Sequence, residues 1–94
     1  MPQTLANGAV HYRTSPTFTT GKVPVALLKN HSTKAGVWGK IVVLKGQVQY
    51  TVPDSDTRII LKPGSPGISQ PQVTHFVTPI GDAEFYVEFY KMDQ

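Results

Sequence analysis

The sequence predicts an all-β fold, a sandwich or barrel with little or no helix. Three observations carry this. Eight prolines and eight glycines in 94 residues interrupt every stretch long enough to show a helical period. The segments between them are short and rich in β-branched and aromatic residues. They follow one another with turn chemistry between them and no crossover helices, which a parallel sheet would need.

In chain order, residues 9–13 form a first candidate strand, broken by Ser15-Pro16. Residues 23–29 form a second, with Pro24 near its start where a missing N–H is tolerated. Residues 36–44 form a third. Its run Ile41-Val42-Val43-Leu44 suggests cover on both faces. Lys45-Gly46 reads as a tight turn, and residues 47–52 as the return arm of a hairpin, with Val48, Tyr50 and Val52 alternating against polar neighbours. After the polar turn at 53–56, residues 57–61 form another strand. The loop at 62–67, Lys-Pro-Gly-Ser-Pro-Gly, is rigid where proline fixes φ. Residues 73–78, with His75 inside, and 83–90 are the closing strands, separated by a turn at 79–82. That makes seven or eight strands in one domain spanning residues 1–94, with residues 1–20 an irregular arm or edge strand.

Composition narrows the function classes. There is no cysteine, so disulfides, thiolate metal sites and a cysteine nucleophile are excluded. The net charge of +3 comes from dispersed lysines and arginines, which reads as a solvated surface and not as a nucleic-acid footprint. No apolar run reaches the roughly 20 residues of a membrane span, and the first ten residues lack the pattern of a signal peptide. The expected location is the cytoplasm, with no membrane and no nucleic-acid partner. No glycine-rich phosphate loop opens a helix, and Ser32 beside His31 makes no triad.

Two sets of segments resemble known families. Val43-Leu44-Lys45-Gly46-Gln47-Val48 is similar to the strand–glycine–strand signature of cupins. Leu61-Lys62-Pro63-Gly64, followed by Pro71 and His75, is similar to the second cupin motif. More narrowly, the segments at 12–19, 31–39, 71–75 and 87–90 resemble the TehB/YeaR-like family. This is a small cupin-like domain found alone or ahead of the methyltransferase of some tellurite-resistance proteins. The resemblance implies a double-stranded β-helix of jelly-roll type and a setting in tellurite, oxidative or nitrosative stress. It covers only the small domain, so methyl transfer is not expected of these 94 residues. One departure stands out: where cupins carry a glutamate ahead of the central glycine, this sequence has approximately Gly39.

The same resemblance places His31 and His75 near the cupin ligand strands, as metal ligands or as structural histidines. Glu88 is the candidate third ligand. Together they would form a two-histidine, one-carboxylate set for Zn, Fe, Ni or Cu, with open positions for water or a small molecule. Alternation leaves the direction of Glu88 open. If Phe85, Val87 and Phe89 face the interior, Glu88 faces out. Gln70 and Gln72 are candidates to orient His75 or line a pocket mouth, and Trp38, Tyr50 and Tyr86 to wall the pocket or simply pack. His11 is read as a surface or hydrogen-bonding histidine. Three functions follow: a small metal-binding cupin, a metal-free module for a small molecule or anion, and a non-catalytic dimeric interaction protein. No catalytic residue is assigned and catalysis is left open. A homodimer is expected, because a chain of this size leaves edges and apolar faces short of cover, with residues 14–20 available to a neighbour.

Overall fold

The computed structural model describes residue 5 and residues 8–92. Among these residues it is an antiparallel β-fold of six strands with one short α-helix and a 3-10 turn at Pro53–Ser55. The strands are β1 (Ala9–Thr14), β2 (Phe18–Thr19), β3 (Val37–Val52), β4 (Thr57–Leu61), β5 (Gly67–Ser69) and β6 (Phe76–Met92). Helix α1 is a single turn, Val25–Leu28. The sheet runs β1-β6-β3-β4, with β2 also on β6 and β5 also on β3.

Two long strands replace the hairpin expected at 36–52 and the two closing strands expected on either side of a turn at 79–82. Lys45-Gly46 does not reverse the chain and the 79–82 segment does not either. Instead β3 and β6 pair along nearly their whole lengths and bulge at the same level. Val43 pairs with Phe85 and Val48 with Pro79, so five steps on β3 (43 to 48) face six on β6 (85 to 79). The inward set of β3 therefore changes parity across the bulge, from Ile41 and Val43 to Val48, Tyr50 and Val52, all buried. Gly46 makes the bulge possible. Its φ is +70°, and a β-carbon there would lie 2.6 Å from the Asp82 carbonyl oxygen. Outside the bulge, exposed Lys45 and Asp82 form an ion pair at 2.9 Å.

The inner faces of both halves of the bent strands meet in one core of Ile41, Val43, Val48, Tyr50, Val52, Leu61, Val77, Ala83 and Phe85, joined by Val23. Burial of side chains from before and after the bulge in one cluster is what the bend achieves energetically.

One further expectation is corrected. Residues 23–29 are not a strand. Pro24 has no ladder donor and sits at the start of the turn, where its carbonyl accepts from the Leu27 N–H at 2.9 Å. Residues 15–20 pair with β6 of the same chain. The Ser15 N–H donates to Val87 O at 2.8 Å and the Ser15 hydroxyl accepts from the Val87 N–H at 2.9 Å. Thr20 makes the equivalent pair with Ala83. Of the arm expected at 1–20, residues 1–4, 6 and 7 lie outside the described residues.

Two stability measurements test this account. Gly46→Ala should destabilise by at least the roughly 1–2 kcal/mol that a left-handed residue with a β-carbon costs, with the Asp82 clash adding to it. Denaturant melts give that difference directly, and an unchanged midpoint would contradict the bulge geometry. Leu61→Ala, at a side chain 1% exposed, should cost about 2–5 kcal/mol in the same assay.

Candidate functional site

The bend leaves a pocket of about 660 Å³ on the inner side of the sheet. Its walls are apolar: Phe18, Leu27, Ile41, Val77, Phe85, Val87 and Phe89 line it. Phe85, Val87 and Phe89 alternate along β6, so the phenylalanine face is the inner one. Ring centroids of Phe18 and Phe85 are 5.6 Å apart, edge to face, which fixes β2 against the wall.

Two histidines lie side by side in this pocket. The backbone brings them there: the His31 N–H donates to His75 O at 2.9 Å and the His75 N–H donates to His31 O at 2.8 Å. A reciprocally bonded antiparallel pair projects both side chains from the same face. The rings meet edge to face with centroids 4.3 Å apart. A second tie, from the Gln72 N–H to Thr33 O at 3.1 Å, holds the same two loops together.

Their hydrogen bonds fix which nitrogen remains for a ligand. His31 Nδ1 donates to Lys29 O at 2.9 Å, and His75 Nδ1 donates to Val73 O at 2.8 Å. A carbonyl only accepts, so in each neutral ring Nδ1 carries the proton and Nε2 holds a lone pair. The Ser69 hydroxyl lies 3.3 Å from His75 Nδ1, and the Tyr50 ring packs on His75 at 5.1 Å. His75 is 4% exposed. Burial pushes its pKa below the usual histidine value. The Val73 carbonyl opposes this shift, and neighbouring His31 adds to it. Burial likewise raises the Tyr50 phenol.

The expected three-ligand metal set does not assemble. His31 and His75 meet, but Glu88 lies on the outer face of β6, beside Lys40, Val42 and Tyr86, where it accepts a hydrogen bond from the Tyr90 hydroxyl at 3.2 Å. The reason is the strand's period of two: with Phe85, Val87 and Phe89 inside, Glu88 is outside. Among the described residues no group of three His, Cys, Asp or Glu could hold an ion. Gly39 lines the pocket with bare backbone at the place where the cupin resemblance expects a glutamate. The residues present therefore do not fit the resident metal of that resemblance.

The other candidates divide. Tyr50 is buried behind His75 rather than at the pocket wall. Trp38 pairs with Tyr90 on the sheet, and Tyr86 shares the outer face with Glu88. Gln70 and Gln72 are exposed, and it is the Val73 carbonyl with Ser69 that orients His75. Sequence reasoning missed Arg13, Lys34 and Ser69 as pocket residues. Arg13 and Lys34 carried a signal, lying in the segments at 12–19 and 31–39 that resemble the TehB/YeaR-like family, and Ser69 carried none.

The His75 environment has a pH consequence. Its folded pKa lies below the unfolded value of 6.5, so its contribution to stability is present above pH 6.5 and is lost as pH falls through the folded value. Wild type should lose stability on acidification below about pH 6.5, and His75→Gln should show a flatter profile in thermal melts. Equal slopes would contradict a buried neutral His75.

Comparison with known proteins agrees with this architecture. A model of the TehB-like domain matches residues 13–87. The probable S-adenosyl-L-methionine-dependent methyltransferase TehB of Haemophilus influenzae strain 10810 is 37% identical over 46 residues, 49% of this chain and 16% of that protein. The TehB of strain KW20/Rd is 35% identical over the same shares. The match thus spans about a sixth of these curated relatives. A solved Escherichia coli K12 protein superposes with TM-score 0.87 at 21% identity, covering 97% of this chain and 98% of that one, a likeness of fold. The crystal structure of Haemophilus influenzae TehB superposes with TM-score 0.82 at 29% identity, covering 92% of this chain and 32% of that one. With the family model matched across residues 13–87, this chain belongs to the TehB-like domain family.

Proposed function

We propose that this chain is a small-molecule-binding domain whose ligand sits in the pocket over His31 and His75. The observation that carries this is the pocket's construction: about 660 Å³ of mostly apolar wall, with two imidazoles fixed in place by backbone hydrogen bonds. Ligand sites are generally concave, about 300–1,000 Å³, apolar, and furnished with a few oriented polar groups. The ordering cost of those groups is met in the fold itself, since both Nδ1 atoms are tied before a ligand arrives. A bent sheet around such a pocket also suits the cupin-like reading of the fold, which we adopt as part of the proposal.

The stress setting implied by the resemblance, resistance to tellurite or to oxidative or nitrosative damage, belongs to the same proposal. In the longer TehB proteins, named as methyltransferases, the corresponding domain would hold a small molecule within the same chain. Methyl transfer by this chain is not proposed, because it matches about a third of the solved TehB. A metal-bound form is the competing reading, favoured by two imidazoles whose ring centroids are 4.3 Å apart.

One experiment separates the two. Protein purified without an affinity tag is assayed for bound metal, and an amide NMR titration is run with a fragment library. The expected result is substoichiometric metal and chemical-shift changes concentrated at the pocket-lining residues of β6 and at the His31 and His75 loops. Stoichiometric metal that disappears in both His31→Ala and His75→Ala, with no fragment binding, would replace the ligand reading with a metal site.

A further inference from the structure

We propose that the ligand of this pocket is a monocarboxylate with an apolar body, bound together with one proton taken up by the His31–His75 pair. The inference rests on the small-molecule reading above and names the ligand class for that site.

Charge sorting is the first observation. Among the described residues, the charged side chains that line the pocket are Arg13 from β1 and Lys34 from the loop before β3, both cations at its exposed mouth. No aspartate or glutamate lines it. The period of two in β6 directs Glu84 and Glu88 away while Phe85, Val87 and Phe89 face in. Asp54 and Asp56 lie in the exposed 53–56 turn, and Asp82 is exposed on β6 at the bulge. The ion pairs among the described residues are Lys45–Asp82 and Arg58–Asp56, so neither mouth cation has an ion-pair partner among these residues. Arg13 stacks over the Phe89 ring, 4.5 Å from its centroid, which positions the guanidinium at the edge of the apolar wall. An arginine held this way keeps its N–H fork for a carboxylate.

The floor supplies the second observation. Around the pair lie Tyr50 behind His75 and Ser69 beside it, and the same pocket is lined by Ser32 and Thr33 next to His31, by Tyr12, Thr14 and Ser15 from the β1 side, and by the two mouth cations. A neutral imidazole with Nδ1 bound to a carbonyl offers Nε2 only as a lone pair, which repels a carboxylate oxygen. One added proton turns Nε2 into a donor and makes the ring an imidazolium that the anion neutralises. Rings 4.3 Å apart do not both charge readily, so one proton enters per ligand. The balance is one carboxylate, one proton and one site giving one complex, with no bond broken. The aromatic and aliphatic wall selects against a bare inorganic anion, which would lose hydration there and gain no apolar contact.

The test is calorimetric titration with benzoate and with benzamide, its uncharged analogue of the same shape, between pH 6 and 8 and in buffers of different ionisation enthalpy. Benzoate should bind at least tenfold more tightly than benzamide at pH 6. Its affinity should fall about tenfold per pH unit where the free pair is neutral, and the buffer series should report uptake of one proton. Benzamide should show no such slope. Arg13→Gln, at an exposed side chain whose loss leaves the core intact, should weaken benzoate at least fivefold and leave benzamide unchanged. His31→Gln should flatten the benzoate slope. Benzamide binding as tightly as benzoate, with pocket residues perturbed, would overturn the carboxylate inference and leave the pocket reading standing. A pH-independent benzoate affinity would overturn the proton uptake. No binding of either probe, together with no binding of any library fragment, would overturn the pocket reading as well.

Discussion

The shared bulge of β3 and β6 at Gly46 is the constraint on which the rest of the structure depends. Two strands of 16 and 17 residues would, if straight, make a flat ribbon with no interior. The bulge bends both at one level and resets the inward parity of β3, so that Val43 and Val48 serve the same core. Only a residue without a β-carbon lets the Asp82 carbonyl approach that closely. The same bend opens the pocket between the inner faces. It also brings the loop ahead of β6, and with it His75, to the loop that carries His31.

The alternation that builds the core also sorts charge. In β6 every second residue from Phe85 to Phe89 is apolar and faces in, which sends Glu84 and Glu88 out. A site containing histidines, an arginine and a lysine but no carboxylate from the described residues is therefore a consequence of packing. Nothing in the strand needs to be strained to produce it. The histidine pair follows from a backbone bridge rather than from side-chain attraction. Its rings are held by carbonyl oxygens, which fixes the tautomer and defines the chemistry available at Nε2.

Much of the fold was legible in the sequence because its cues are local. Prolines, glycines and β-branched runs identified the all-β class and the approximate positions of most strands. Gly46 was misread as a hairpin turn because a bulge and a two-residue turn ask for the same residue, a glycine with positive φ. Residues 23–29 were misread as a strand because an apolar run of that length does not distinguish a strand from a turn of helix. At the site, the resemblance places His31 and His75 near the same strands and the structure sets them side by side, while the inward or outward choice at Glu88 is left open by the sequence. The decision lay in which face of β6 the other strands cover, and that is tertiary. Ser69, Arg13 and Lys34 enter the pocket from three separate elements, and no local spacing links them.

The central claim is that both imidazoles present an unprotonated Nε2 to a ligand pocket. Long-range proton–nitrogen correlation spectra of the histidine rings in the free protein measure this most directly. At a pH where the rings are neutral, His31 and His75 should both show the pattern of a ring protonated at Nδ1 only, as their carbonyl partners require. A ring protonated at Nε2 in either residue would contradict the account.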